Sequence, residues 1–511
     1  MRTTRRPHPI SLREVFPQAR IFGSCDIRVS SCCIDPKRCR PGDLFVALQS
    51  AHHDGHDAAM EAVRRGAHAV LAERPVPVQA PLCIVPDSRE AYGRLCHRLA
   101  GDPAERLRTI GVTGTNGKTI TSLLIASVLK AAQQPTGSMT TIAYDDGCEQ
   151  AAASQTTPGA PKLAHWLARM AVTGCANAVL ELSSRALAQK RVAGVAFDMA
   201  VLTNVRRDHL DYHGSLLNYR RAKARLFEQL KPGGVAVVNA DDPASKFVLR
   251  DLDRPVLTFG MRAPAELSAL VVERHAGEQT FLITAGMETV AVQTRMFGDH
   301  HVYNCLAAAA IGLAVGLDLT TVARGLELLE GVPGRLEPIA CGQPFGVYVD
   351  YARTPDTLAV ALKTLRRVTS GRLICVFGAD AQRDPSQRPL LGRAVERYAD
   401  LGVITNDNPR WERPLLIAHD IIDGYDRPAR AHVLPDRAEA IRWALSQAQP
   451  GDTVLIAGKG DRAIQVVGDR RRPFDDREVA RRWLYDVAAG IDYEPEQEQI
   501  IPFRRGVELA N

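Results

Sequence analysis

The sequence predicts an α/β protein of three domains built on parallel or mostly parallel sheets. Three observations carry that prediction. The chain has 511 residues, and at roughly 100–200 residues per domain that length holds three separate cores. A short β run at 108–113 passes through a glycine-rich loop into a helical pattern at 121–132, the order of a phosphate cradle. Beyond Gly334, further β runs alternate with helical segments, as in an open doubly wound sheet.

Taken in order, residues 1–104 read as a small α/β domain. Apolar runs at 42–48 and 69–72 flank a helical pattern at 58–65, and Gly101-Asp102-Pro103 closes the unit. Residues 105–333 form the second domain. After the strand at 108–113 come β candidates at 178–181, 199–203 and 235–239, whose alternation with helices predicts a parallel sheet covered on both faces. The stretch 256–295 is richer in β runs and predicts a small antiparallel layer, and 304–315 an alanine-rich packed helix. The third domain, 334–490, has strand candidates at 345–349, 373–377, 401–405 and 454–457. Residues 491–511 lack a period and read as a frayed tail.

Composition excludes several classes. Hydrophobic residues make up 45% and charged residues 24%, which rules out wholesale disorder. No apolar run reaches the roughly 18–20 residues of a membrane helix, and the basic start MRTTRRPHPI leads into no apolar stretch, so no secretory signal or membrane insertion is expected. The net charge of +6 is spread without long basic runs, so no nucleic-acid partner is expected. A cytoplasmic monomer is the expectation. Eleven cysteines are an odd number, mostly scattered, and argue against a disulfide framework. Cys25, Cys32, Cys33 and Cys39 cluster without paired CxxC spacing, so buried free thiols are expected rather than zinc. Ten lysines stand against 54 arginines. In a chain so biased to arginine, each remaining lysine invites a chemical question.

The loop Gly114-Thr115-Asn116-Gly117-Lys118-Thr119 sits between strand and helix. Backbone N–H groups at a helix start face an anion, Lys118 neutralises phosphate charge, and the Thr119 hydroxyl suits magnesium. Val112 stands where the strict pattern has glycine, but Gly111, Gly114 and Gly117 supply backbone freedom. Nucleotide binding follows.

The spelling TGTNGKT at 113–119 resembles the Mur ligase family, ATP-dependent enzymes that add amino acids to the peptidoglycan precursor. The resemblance is nearest to its tripeptide-forming branch. It is carried by PGDLFVAL at 41–48, DGH at 54–56, TTP at 156–158, ELSS at 181–184, QKR at 189–191, TN with RDHLDYHG at 203–214, YRRAKARLF at 219–227 and NADD at 239–242. GRLE at 334–337, VDYA at 349–352, DNPR at 407–410, GKG at 458–460 and FDDREVA at 474–480 follow in family order. Folylpolyglutamate and cyanophycin synthetases fit the phosphate loop but leave PGDLFVAL, RDHLDYHG and DNPR unexplained.

The resemblance implies that ATP phosphorylates a carboxylate of a UDP-linked muramoyl dipeptide and that an amino acid, meso-diaminopimelate by DNPR, attacks the acyl phosphate. It implies that the first domain holds the UDP end around Ser31 and Asp54-Gly55-His56, the central domain ATP, and the third, closing over the nucleotide, the incoming amine. Thr119 and Glu181 match the magnesium ligands. His209 and Lys223 match a second metal site whose lysine is carbamylated, a reaction that needs a neutral amine and that a guanidinium cannot undergo. His209 and His213 are four apart, but without an HExxH glutamate a zinc pair is not expected. Thr156, Thr157, Ser183, Gln189 and Arg191 match dipeptide contacts. Asn304, Arg335 and Asp350 match contacts with adenine, phosphate and ribose. Asp407, Asn408, Arg410 and Gly458 match the amino-acid pocket, where a guanidinium suits a distal carboxylate. Lys118, Lys223 and His209 are the expected catalytic groups, and Lys459 is expected to meet a ligand.

Several family motifs are altered. GKGHE becomes Gly458-Lys459-Gly460-Asp461-Arg462, placing a cation where the family's glutamate meets the ammonium of diaminopimelate. VFGCGGDRD becomes 376–384 with Ala379, Asp380 and Ala381, adding Cβ atoms to a tight turn. The HTP following VDYA is Arg353-Thr354-Pro355, SSHG is Ser183-Ser184-Arg185-Ala186, and DSR is Ser30-Ser31-Cys32. An active ligase, with its amino-acid choice kept or shifted, is the main reading. The alternative is a diverged paralogue that binds nucleotide or precursor without efficient ligation.

Overall fold

A computed structural model describes residues 9–50, 53–250, 252–275 and 277–488. The expected tail at 491–511 and the basic residues 1–8 lie outside the described residues. The chain divides into two compact units, one of 1–206, 215–268 and 304–325, the other of 207–214, 269–303 and 326–511.

Besides the short pair Ile10–Ser11 with Arg28–Val29, the first unit carries two larger sheets among its described residues. The smaller has the order Arg20–Phe22, Leu82–Ile84, Ala69–Ala72, Leu44–Val46, Cys32–Cys33, parallel except for its first strand. In the larger, Arg108–Thr113 lies between Asn177–Glu181 and Phe197–Leu202, all parallel. Thr136–Met139 extends one side, and Leu230–Asn239 with Val256–Gly260 the other, again in parallel. The fully apolar register Val179, Leu180, Val201, Leu202, Val237, Val238 is buried throughout, as a sheet covered on both faces requires. Because neighbouring parallel strands end together, Thr113, Glu181 and Thr203 reach one carboxyl edge, the usual ligand edge of such sheets.

The second unit is built on a six-stranded sheet in the order Glu337–Pro338, Gly346–Asp350, Thr453–Ala457, Leu373–Phe377, Leu401–Ile404, Ala431–Val433, antiparallel only at its first pair. Alternate residues serve two cores. Cys375, Phe377 and Leu455 join one face, and Ile374, Val376, Val454 and Ile456 the other.

Three expectations are corrected. In the stretch 256–295, Glu278–Ala285 and Glu288–Thr294 pair antiparallel with Leu267–His275 beside them, but Val256–Gly260 does not join an antiparallel layer. Val256–Gly260 follows the helix Pro243–Leu249 and returns parallel, as a crossover connection dictates. The helix expected at 121–132 spans Lys118–Ala131, because Gly117 at φ +84° is its cap and puts Lys118 and Thr119 into the first turn. Cys33 and Cys39 are not free thiols: the short turn Pro36–Arg38, capped by Asp35, folds back and joins them in a disulfide. Cys25 is exposed and Cys32 half-buried. No helix among the described residues is long and apolar enough to cross a membrane.

Candidate active site

The loop 114–119 leaves the central strand and folds against its neighbours. A Cβ on Gly114, at φ +154°, would stand 1.9 Å from Thr203 Oγ1, and one on Gly117 would stand 2.2 Å from Asn304 Oδ1. Both positions demand glycine on space as well as on backbone angle. Asn204 clamps the loop reciprocally, accepting from Asn116 N–H at 3.0 Å and donating to its carbonyl at 3.1 Å. Thr203 Oγ1 donates to the same carbonyl at 2.6 Å. The Thr115 hydroxyl meets Tyr219 OH at 3.0 Å. Thr121 Oγ1 donates to Asn304 Oδ1 at 3.3 Å.

Lys118 Nζ donates to the carbonyls of Gly114 (3.1 Å) and Thr115 (2.9 Å). Lys223, only 1% exposed, donates to the same Gly114 carbonyl at 2.6 Å. Two ammonium groups therefore share one acceptor. Glu181, 2% exposed, accepts from Thr119 Oγ1 at 3.0 Å, Thr141 N–H at 2.8 Å and Thr141 Oγ1 at 2.9 Å. Among the described residues no basic side chain pairs with it. A buried carboxylate surrounded by hydroxyls, beside a loop shaped for phosphate, has the donor chemistry of a hard divalent cation.

The predicted dipeptide contacts gather beside Glu181. Thr157 Oγ1 donates to the Glu181 carbonyl (2.8 Å) and accepts from Ser183 N–H (3.0 Å), so this buried hydroxyl is engaged within the fold. Ser183 caps the helix Ser184–Ala188. Thr156 accepts from Thr141 Oγ1 at 3.0 Å. Arg191 donates to Gln189 Oε1 (2.9 Å), Gln155 Oε1 (2.8 Å) and the Thr157 carbonyl (2.7 Å). In the smaller sheet Ser31 pairs with Asp43. His56 spans Asp54 Oδ1 (2.6 Å) and the Glu73 N–H (3.0 Å), and its two hydrogen bonds with Asp54, followed by Arg74, hold that carboxyl well below the usual range.

In the second unit His209 caps the one-turn helix Leu210–His213 at φ +52°, its N–H bonded to Asp208 Oδ1 at 2.9 Å. Asp350 accepts from Leu336 and Ala352 N–H, each at 2.7 Å. Burial pushes its carboxyl up, against the pull of Arg335. Arg335 pairs with Asp461 at 3.1 Å. Arg335, Arg353 and Arg462 lie 4.3, 4.1 and 5.1 Å from the centre of the Tyr351 ring, cation–π contacts that hold three like charges on one aromatic. Burial, reinforced by Arg383 and Arg462, lowers Arg353 to about 10. Arg462 is thus gathered at Tyr351.

Lys459 corrects an expectation. It is buried, paired with Asp407 at 3.1 Å, and donates to Asn408 Oδ1 (3.2 Å) and the Ile464 carbonyl (3.1 Å). With its donors spent inside the fold, it supports the 407–410 loop instead of meeting a ligand. Burial pushes the Asp407 carboxyl up, but Lys459 and Arg437 outweigh it and hold it low. Gly458, at φ +120°, donates its N–H to the Asp350 carbonyl at 2.9 Å. Beneath this loop Arg437 and Asp476 form a wholly buried pair at 2.7 Å.

In the sequence Asp380 shows only as added bulk in a glycine motif. None of Ala379, Asp380 and Ala381 has a positive φ, so their Cβ atoms carry no backbone strain. Asp380 accepts from Asn408 Nδ2 at 3.1 Å and Arg410 Nε at 3.3 Å. A carboxylate standing in a glycine motif, in a chain with a predicted carboxylate-binding arginine, was the available signal. Thr141 and Gln155 had none.

Two family models match the chain, the Mur ligase middle domain over residues 112–312 and the Mur ligase glutamate ligase domain over 334–460. A relative from Geobacillus kaustophilus, UDP-N-acetylmuramoyl-L-alanyl-D-glutamate--2,6-diaminopimelate ligase, is 43% identical over 455 residues, 88% of this chain and 93% of its own. A protein of the same name from Syntrophomonas wolfei is 39% identical over 468 residues, 90% and 96% of the two chains. The solved structure of a UDP-N-acetylmuramoyl-L-alanyl-D-glutamate--2,6-diaminopimelate ligase matches at 33% identity and a TM-score of 0.67, over 94% of this chain and 99% of that one. Matched in both of its family domains and along nearly its whole length, the chain belongs to the Mur ligase family.

Proposed function

We propose that the chain is an ATP-dependent acid–amino-acid ligase that joins meso-diaminopimelate to UDP-MurNAc-L-Ala-D-Glu in peptidoglycan precursor synthesis. The γ-phosphoryl group of ATP passes to the dipeptide's terminal carboxylate and ADP leaves. The amine of the incoming amino acid then forms the amide bond, phosphate departs, and the nitrogen loses a proton. The observation that carries this reading is the pair of lysines on one carbonyl beside a buried carboxylate without a basic partner, at the mouth of a glycine cradle.

Anionic phosphate and anionic carboxylate repel, so the site must supply positive charge where they meet. Lys118 and the amides of the loop hold phosphate oxygens. Thr119 and Glu181 would hold magnesium, which when bound screens the two anions. Lys223 is proposed to be carbamylated: two ammonium groups on the Gly114 carbonyl repel one another, and carbamylation reverses one of the charges while creating a metal ligand. The assignment of His209 as a metal ligand rests on its motif alone. Thr156, Thr157, Ser183, Gln189 and Arg191 are proposed for the dipeptide and Ser31 for the UDP end. Asn304, Arg335 and Asp350 are proposed for the nucleotide, and Asp407, Asn408, Arg410 and Gly458 for the amino acid. The division into domains at 104 and 333, a monomeric state and a cytoplasmic setting belong to the same proposal.

The test is phosphate release. It should require ATP, magnesium, the UDP-muramoyl dipeptide and an amino acid together, with meso-diaminopimelate the best of a panel including lysine and ornithine. ATP binding with no stimulation by any amino acid would establish the non-catalytic alternative. Lys223→Ala should abolish turnover, with added bicarbonate restoring little; undiminished turnover would remove the carbamate from the mechanism.

A further inference from the structure

Asp380 and Arg410 form a pair with unused capacity on both members. Arg410 sits at φ +51°, an unusual backbone angle for a long side chain. It is fixed there by its N–H to the Val466 carbonyl at 3.2 Å and by Gly468 N–H to its own carbonyl at 2.7 Å. Its side chain is 29% exposed. Its guanidinium bonds Asp380 through Nε, and among the described residues no acceptor takes Nη1 or Nη2. That edge is the one a carboxylate grips with two parallel bonds. Asp380, 9% exposed, is held by Gln382 N–H at 2.9 Å as well as by Asn408 and Arg410. Three bonds leave lone-pair room on a carboxylate that offers about four sites.

We propose that Asp380 and Arg410 together read the far end of the incoming diamino acid, Arg410 taking its carboxylate and Asp380 the ammonium on the same carbon. The α-ammonium and α-carboxylate of an amino acid lie side by side, and the two protein groups, 3.3 Å apart, present the complementary charges side by side. The cation at position 462 is held at Tyr351 and has no ion pair with Asp380 among the described residues. Asp380 therefore supplies from another loop a negative charge that position 462 does not, the one carboxylate of the 458–462 loop, Asp461, being paired with Arg335. Asp380 is a specificity-determining residue for the ligation proposed above, and the inference rests on that reading.

The experiment compares wild type, Asp380→Asn and Asp380→Glu with two acceptors: meso-diaminopimelate, and 2-aminopimelate, which keeps the distal carboxylate and lacks the distal amine. Asp380→Asn should lower kcat/KM for diaminopimelate by about 10- to 100-fold, the range for losing a hydrogen bond to a charged group, and mostly through KM. With 2-aminopimelate the change should stay within about threefold, so the preference between the two collapses, and Asp380→Glu should recover part of it. KM for ATP should not move, which reports an intact fold. Equal losses with both acceptors would reduce Asp380 to a support for Arg410 and overturn the proposal, as would no loss with either. A wild-type protein that releases phosphate with neither acceptor nor lysine fails the ligase reading itself, and the proposal with it.

Discussion

Around the glycine loop, lysines donate to backbone carbonyls and a buried glutamate accepts from threonines. Around Asp407, charged side chains are held by opposite charges: Lys459 by Asp407, Arg437 by Asp476, Arg410 by Asp380, Arg335 by Asp461. The difference follows from what each region is proposed to hold. A phosphate is met by cations and N–H groups, and the bonds that set Lys118, Lys223 and Glu181 around the loop run to backbone carbonyls and threonine hydroxyls. A zwitterion needs both signs, and ion pairs set both in place while keeping each buried charge compensated.

The largest effect should come from breaking the pair that lies deepest. Asp476→Ala strands the wholly buried Arg437 guanidinium, which also donates to the Ala457 carbonyl at 2.9 Å. The expected loss is about 3–5 kcal/mol of unfolding free energy, read in urea titrations, with Arg437→Met on the same background restoring much of it. A loss below about 1 kcal/mol would mean that the second region does not depend on its ion pairs. The first region should respond in the opposite way. Lys118→Ala removes a side chain that donates to the Gly114 and Thr115 carbonyls of the loop; kcat/KM for phosphate release should fall about 10²–10³-fold while the urea midpoint moves little. A large shift in that midpoint would make Lys118 a structural lysine like Lys459 and erase the contrast.

The two regions also differ in how far the sequence discloses them. The glycine loop is legible because strand, loop and helix are contiguous, so Gly114, Lys118 and Thr119 declare their chemistry by spacing alone. Glu181 and Lys223 lie far along the chain and were reached through family motifs, and the structure ties both to the loop through Thr119 and the Gly114 carbonyl. In the second region the partners are 28, 30, 39 and 126 residues apart. No local pattern announces such a pair, so the sequence presents Asp380 as misplaced bulk and Lys459 as a ligand-facing cation. Strand positions were legible because buried parallel strands are unbroken apolar runs. Helix starts were less so, because a glycine cap starts the helix at Lys118, three positions before the expected 121.

His97 sharpens the contrast, because it is a buried basic group with no counter-charge bonded to it. It is 1% exposed, and neither ring nitrogen has a hydrogen-bond partner. Burial lowers it to about 4, only slightly opposed by Asp102. Arg437, equally buried, is instead held charged by Asp476, whose attraction outweighs burial. The sign for His97 follows from proton uptake. Between pH 6.5 and about 4 the unfolded chain binds a proton that the folded chain refuses, so stability is full above that window and falls as the pH drops through it. The loss attributable to His97 should approach about 3 kcal/mol at the acid end. His300 and His301 are also lowered, to about 4 and about 3, so the wild-type slope is larger than one group supplies. His97→Leu keeps the bulk and removes the proton site. Urea titrations near pH 7 and near pH 4.5 should therefore show the variant losing about 2 kcal/mol less than wild type between the two conditions. Equal losses would mean that His97 finds a proton acceptor in the folded state, and that neutrality is not how this part of the molecule tolerates a buried base.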